Sequence, residues 1–103
     1  MVTLDVYSIE ELTRRAETLE KERVFVDASF ERSILASVLL MRGRMVEARK
    51  QFCLAGSDLV RTCEHIKKEG RYPENLLISG YLQMAGANFD IAHKISIRLL
   101  RQG

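Results

Sequence analysis

Between Ala48 and Ile66 the apolar residues keep to one helical face without a missed step. Ala48, Phe52, Ala55, Leu59, Cys63 and Ile66 are separated by four, three, four, four and three positions. An α-helix, repeating every 3.6 residues, gathers such a set on one side, whereas a strand would scatter it over both faces. Gly56 lies inside the run and costs about 1 kcal/mol in a helix interior, yet the stripe passes through it unbroken. The spacing predicts one long helix from near Met45 to Lys67-Lys68-Gly70, where cations and a glycine suit a helix C-terminus. A break at Gly56, with Ser57 capping a new helix, is the alternative.

The rest of the chain reads the same way. One Pro and six Gly among 103 residues leave little to interrupt helices. Ser8-Ile9-Glu10-Glu11 has the form of a capping box, and behind it Ile9, Leu12, Ala16 and Leu19 make an apolar stripe opposite Glu10, Arg14, Glu17 and Lys21. Val24-Phe25-Val26 is a short apolar connector, after which Asp27 or Ser29 can cap a second helix running to about Arg42. Its centre, Ile34 to Met41, is apolar around nearly the whole circumference, which calls for burial on more than one side. Gly43 supplies the left-handed residue for a tight turn. Pro73 suits a first helical turn, and a fourth helix is expected from Glu74 to about Ala85, with Leu76, Leu77, Gly80, Tyr81 and Met84 on its apolar side. Gly86-Ala87-Asn88 is expected to end it. A fifth helix from Phe89 to Arg101 then buries Ala92, Ile95 and Leu99. The expected architecture is all-α, about five antiparallel helices in one domain over residues 1–103. An acidic N-terminal helix occupies 1–26, and helical hairpins occupy 27–103.

Apolar residues at 47% and charged residues at 29% are those of a globular chain. The opening Met1-Val2-Thr3-Leu4-Asp5 lacks the basic start and apolar stretch of a signal peptide. The apolar run from Ile34 to Met41 is far shorter than the roughly 20 residues that span a bilayer. The expectation is a cytoplasmic protein with no membrane partner. Cys53 and Cys63 stand ten apart, about 15 Å along one helix and beyond disulfide reach, and are expected to be two buried thiols. Charge is uneven. Residues 1–31 carry eight acids and four bases, and residues 32–103 carry twelve bases and six acids. Such a split suits either nucleic-acid binding or an acidic element docked on a basic body. The bases are dispersed among acids and few aromatics are available for stacking, so the first of these is not favoured.

The segment from Leu35 to Ala55 carries a recognisable pattern. Leu35-Ala36 is followed by Leu39, then Gly43, then Ala48, Phe52 and Ala55. Large and small residues alternate in one helix, a glycine turns the chain, and an Ala-aromatic-Ala series follows in the next. This resembles the tetratricopeptide repeat, best over residues 29–56. Gly80, Gly86, Phe89 and Ala92 echo it loosely over 73–100. Ala48 and Ala92 are 44 residues apart, beyond the usual repeat of about 34. Arg32 stands where the first repeat would begin with an aromatic, and Ser96 replaces the second repeat's aromatic. The resemblance implies a protein-binding groove lined by the first helix of each hairpin. Mapped onto this sequence that face is Phe30, Ser33, Ser37, Leu40 and Met41, then Leu77, Tyr81 and Met84. A Met-, Leu- and Tyr-rich groove suits an apolar or amphipathic helical segment.

Catalytic patterns are weaker. His65-Ile66-Lys67-Lys68 resembles the H-x-x-K of histidine phosphotransfer helices, although Glu69 places a negative charge where the phosphoryl group would sit. Arg61 and His65 resemble the Arg…His pair of HEPN-type ribonucleases, with too few residues between them. Cys63, Glu64 and His65 are too close along a helix to share one metal. The expected function is therefore an adaptor or small chaperone that binds another protein or a second copy of itself, not an enzyme, with neither cofactor nor metal. Its oligomeric expectation is a homo-oligomer or heterocomplex. The alternatives are a phosphotransfer domain using His65 and a basic-faced nucleic-acid-binding helical protein.

Overall fold

The computed structural model describes residues 8–70 and 74–102, with side chains in the last helix from Leu77 onward. The expectations for residues 1–7, for Pro73 and for the side chain of Leu76 lie outside these. Four helices account for almost all of the described chain: α1 (Ile9–Lys21), α2 (Phe25–Met41), α3 (Met45–Glu69) and α4 (Glu74–Gln102). Among the described residues there is no strand, and no helix is long and apolar enough to cross a membrane. Each helix packs chiefly on its neighbour in sequence: α1 on α2, α2 on α3, α3 on α4. The short turns after α1 and α2 make the helices that they join antiparallel. At 1.5 Å per residue the 29 residues of α4 extend about 44 Å, which matches the 45 Å long axis of the molecule.

The core follows the sequence pattern closely. Leu12 of α1, Leu35, Ala36, Val38 and Leu39 of α2, Ala48 and Phe52 of α3, and Ala92 and Ile95 of α4 form one buried cluster. Ala36, Ala48 and Ala55 are wholly buried, as small residues must be where two helix backbones approach. The Ser29 hydroxyl donates to the Ala55 carbonyl at 3.0 Å across the α2–α3 crossing. Ser8 caps α1 by accepting from the Glu11 N–H. Gly70 adopts the left-handed conformation and ends α3 by donating to the Ile66 carbonyl.

Both turns before α3 use the same closure. After α2, the Gly43 N–H donates to the Leu40 carbonyl and the Arg44 N–H to the Leu39 carbonyl. After α1, Arg23 donates to Glu20 and Val24 to Leu19 in the same pattern. This is the Schellman arrangement, and it requires a positive φ at its central residue. Gly43 takes φ 76° without strain, whereas Arg23 takes φ 63° with a β-carbon in the way.

Three expectations are corrected. There are four helices, not five: α4 runs through Gly86-Ala87-Asn88 without a break. Ala85, Ala92 and Ile95 are buried on one side of that join, so the packing stripe outweighs the helix cost of an exposed glycine. The loose echo over 73–100 is thus not a hairpin. Second, α2 begins at Phe25, ahead of Asp27 and Ser29, and no side chain caps it. Ser29 is instead spent on the α3 carbonyl. Third, only Cys63 is buried; Cys53 is exposed. Helix α3 is continuous, as the stripe implies, and Gly56 has a positive use there: a β-carbon on it would lie 2.7 Å from the Phe89 ring of α4.

Two consequences follow for stability. Arg23→Gly relieves the left-handed strain and should stabilise the fold by about 0.5–1 kcal/mol in denaturant unfolding, net of the greater freedom of glycine in the unfolded chain. Gly56→Ala should show strong coupling to Phe89. Its helix gain of about 1 kcal/mol should appear in a Phe89→Ala background and largely vanish when the ring is present. Equal effects in both backgrounds would mean that ring and glycine are not in contact.

Candidate functional site

Of the residues expected to form a groove, Ser33 of α2 is the one that meets α4: its hydroxyl donates to Asn88 Oδ1 at 3.2 Å. Asn88 in turn donates through its amide to the Met84 carbonyl. The Ser37 hydroxyl donates back to the Ser33 carbonyl within α2. On the α2 side Phe30 is 51% exposed and Met41 68%, while Leu40 is only moderately exposed. On α4, Leu77 and Met84 are exposed and Tyr81 is half-buried. Ser33 and Asn88 are thus brought together, whereas Phe30 opens toward α1. There it lines an open groove of about 810 Å³ with Arg14, Arg15, Leu19, Asp27 and Glu31. The Arg15–Glu31 ion pair at 2.8 Å joins the two walls of that groove.

The outer side of α4 also carries an apolar residue that the sequence mapping omitted. Ile91 is exposed and stands seven residues beyond Met84, which is itself seven beyond Leu77. Seven residues are nearly two helical turns, so the three share a face. Reading α4 as two helices concealed this spacing.

A second feature was not anticipated from the sequence. Arg32, in the middle of the most apolar helix, is buried. Its guanidinium forks onto the Glu20 carboxylate of α1, with contacts of 2.6 and 3.2 Å, and its third nitrogen donates to Gln51 Oε1 of α3 at 2.8 Å. One side chain thereby ties three helices. Beside it lies Asp58, 1% exposed, reached by Arg61 at 3.4 Å through one oxygen only. The other oxygen has no donor facing it. Burial pushes the Asp58 carboxyl up to about 8, reinforced by the nearby Glu20 carboxylate, against the pull of Arg32 and Arg61. Glu20 shifts the other way: burial opposes its charge, but the Arg32 guanidinium prevails and holds it below the ordinary carboxylate value. The cue in the sequence is a charged residue on the packed side of each helix: Arg32 within α2, and Asp58 beside the stripe of α3.

The residues of the phosphotransfer alternative are exposed. His65 Nε2 lies 3.0 Å from Glu69 Oε1, one turn along α3. With Lys68, Glu64 and Arg61 it lines a groove of about 560 Å³ against Glu20, Arg23 and Phe25, and the Arg61 guanidinium sits 5.7 Å from the Phe25 ring centre. Among the described residues no group of three or more acidic, Cys or His side chains is placed to hold a metal ion. Cys63 Sγ donates to the Ile78 carbonyl of α4, and burial raises its thiol above the ordinary range, which makes it a packing group rather than a nucleophile.

Comparison of the chain with known protein families, with curated proteins and with solved structures finds no match.

The Arg32 fork carries a testable weight. Removing one partner of a buried ion pair leaves the other uncompensated, at a cost of about 3 kcal/mol or more. Arg32→Met should destabilise by about 3 kcal/mol in denaturant unfolding, and adding Glu20→Gln should recover part of the loss. A loss under 1 kcal/mol would mean that solvent reaches the pair.

Proposed function

We propose that this chain is a protein-binding module, an adaptor or small chaperone of tetratricopeptide-like design. It takes an apolar or amphipathic helical segment along the open face of α2 and α4. The supporting observation is that Leu40 and Met41 of α2, and Leu77, Met84 and Ile91 of α4, remain exposed on helices whose other sides are packed. An exposed apolar set of this size on a small domain is a usual mark of an interaction surface. Methionines and a tyrosine on such a face adapt to varied apolar side chains. The hairpin of α2 and α3 fits the tetratricopeptide pattern in its Leu35, Ala36, Leu39, Gly43, Ala48, Phe52 and Ala55. In this reading α4 stands as the first helix of a following unit, and α1 as the second helix of a preceding one. The chain acts without cofactor or catalysis, in the cytoplasm, as part of a homo-oligomer or heterocomplex. The phosphotransfer reading is less well supported, because Glu69 beside His65 would repel an incoming phosphoryl group.

The test is photo-crosslinking from a reactive amino acid placed at Met84 or Met41 in the native host, with mass spectrometry of the adducts. Leu77→Glu with Met84→Glu should abolish the adducts formed from Met41 and leave helical circular dichroism intact. Val46→Glu, at an exposed position on α3, should change neither. Adducts only to other copies of the chain, with light scattering that shows concentration-dependent association, would identify the partner as the protein itself. Unfolding by the double change would mean that Leu77 and Met84 are core, and would remove the groove.

A further inference from the structure

We propose, resting on the protein-binding reading of the open face of α4, that its occupant is a second copy of this chain, the two α4 helices packing antiparallel about a two-fold axis. Helix α4 has one side for the bundle and another left free. Ala85, Ala92 and Ile95 are buried, whereas Leu77, Gly80, Met84, Ala87, Ile91 and Lys94 are all exposed. The exposed six follow one another at alternating intervals of three and four residues, the spacing with which a helix meets a single partner helix along its length. Gly80 has no use inside the chain. A β-carbon on it would meet nothing within 4 Å, unlike one on Gly56, which would strike the Phe89 ring. A glycine weakens a helix interior, so room at position 80 serves something outside the bundle.

The order of large and small residues says what that is. Leu77, Met84 and Ile91 alternate along the seam with Gly80, Ala87 and Lys94. Turned end for end about the midpoint between Ala85 and Gly86, the seam sets Met84 against Ala87 of the second copy, and Ile91 against its Gly80. The same two pairs recur beyond the axis. Each bulky apolar side chain of the central layers thus meets a small one, so the backbones approach closely and no void is left. The outermost layers set Lys94 against Leu77 of the second copy, where the ammonium reaches water past the end of the contact. On the rim Asp90 faces Gln83, and no like charges oppose. A parallel pair would instead set Lys94 against Lys94 and leave a gap between two Gly80 residues. A foreign helix has to supply this order of sizes by chance, whereas a second copy supplies it by symmetry. From Leu77 to Lys94 the seam runs about 25 Å. That is a short contact for a permanent dimer, which places the pair among weak, reversible associations.

Sedimentation of the intact chain over about a thousandfold range of concentration should show a reversible monomer–dimer equilibrium. Gly80→Leu separates this seam from general stickiness. The variant adds exposed apolar surface and should leave the monomer at least as helical, since nothing in the chain opposes the new side chain. It should nevertheless weaken dimerisation about tenfold or more, by overpacking Ile91 of the second copy. Adding Ile91→Ala exchanges large and small across the layer and should restore association. Direction is read by oxidising a mixture of Gly80→Cys and Ile91→Cys chains, both carrying Cys53→Ser to remove the exposed native thiol. Mixed disulfides should form in preference to like pairs. A chain monomeric throughout, tighter association in Gly80→Leu, or disulfides joining like to like would each overturn the pairing. Should Gly80→Leu fail to fold, the disulfide arm decides alone. A monomeric chain whose Met84 crosslinks to a different protein would leave the protein-binding reading standing and remove only the second copy.

Discussion

Helix α2 has almost no polar side, and the arrangement of the other three helices is a consequence of that. A helix apolar around most of its circumference cannot rest on a surface; it has to be surrounded. Leu35 and Leu39 turn into the core, Ala36 and Ser29 admit α3 at close range, and Ser33 marks where α4 comes alongside. Leu12 of α1 joins the same buried cluster. The remaining side is left open, and that is the side on which Phe30 and Met41 stay exposed. Burial of α2 thus defines both the core and the candidate groove.

Within that apolar helix Arg32 is a costly choice, since a guanidinium must be removed from water to sit there. The cost is offset only because the fork meets a carboxylate and an amide in suitable geometry. An apolar side chain of similar volume could fill the same space against several neighbours. Arg32 cannot, because it requires Glu20 and Gln51 in particular places. That requirement fixes how α1 and α3 sit on α2 along their lengths. Charge rather than shape does the fixing here, which leaves Asp58 competing for cations already spoken for.

Much of this was legible in the sequence because it is local and periodic. The stripe from Ala48 to Ile66, the glycine turn at Gly43 and the Ser8 cap of α1 each depend on neighbours a few residues away, and each stands in the structure as the spacing implies. The misreadings have a common cause. Gly86 carries the local signal of a break, but burial of Ala85, Ala92 and Ile95 on one face is a tertiary effect that a propensity does not contain. The early start of α2 is of the same kind, since Ser29 is claimed by the Ala55 carbonyl 26 residues away. The Arg32–Glu20–Asp58 cluster spans three helices and leaves in the sequence only the oddity of charges among apolar positions. Of the candidate site, the residues of α2 were readable from one helical repeat. Ile91 was hidden by the false break.

Continuity of α4 changes what the open face can do. Two short helices meeting at Gly86 would have turned Ile91 away from Leu77 and Met84, leaving two small apolar patches separated by polar backbone at the turn. A single rigid rod instead lines up three apolar residues at intervals of about 10.5 Å, the spacing at which another helix presents its own side chains every seven residues. A flexible or strand-like segment would gain little from so regular a row, because its side chains repeat at a different interval. Under the proposed function, such a row suits a helical ligand better than an extended one.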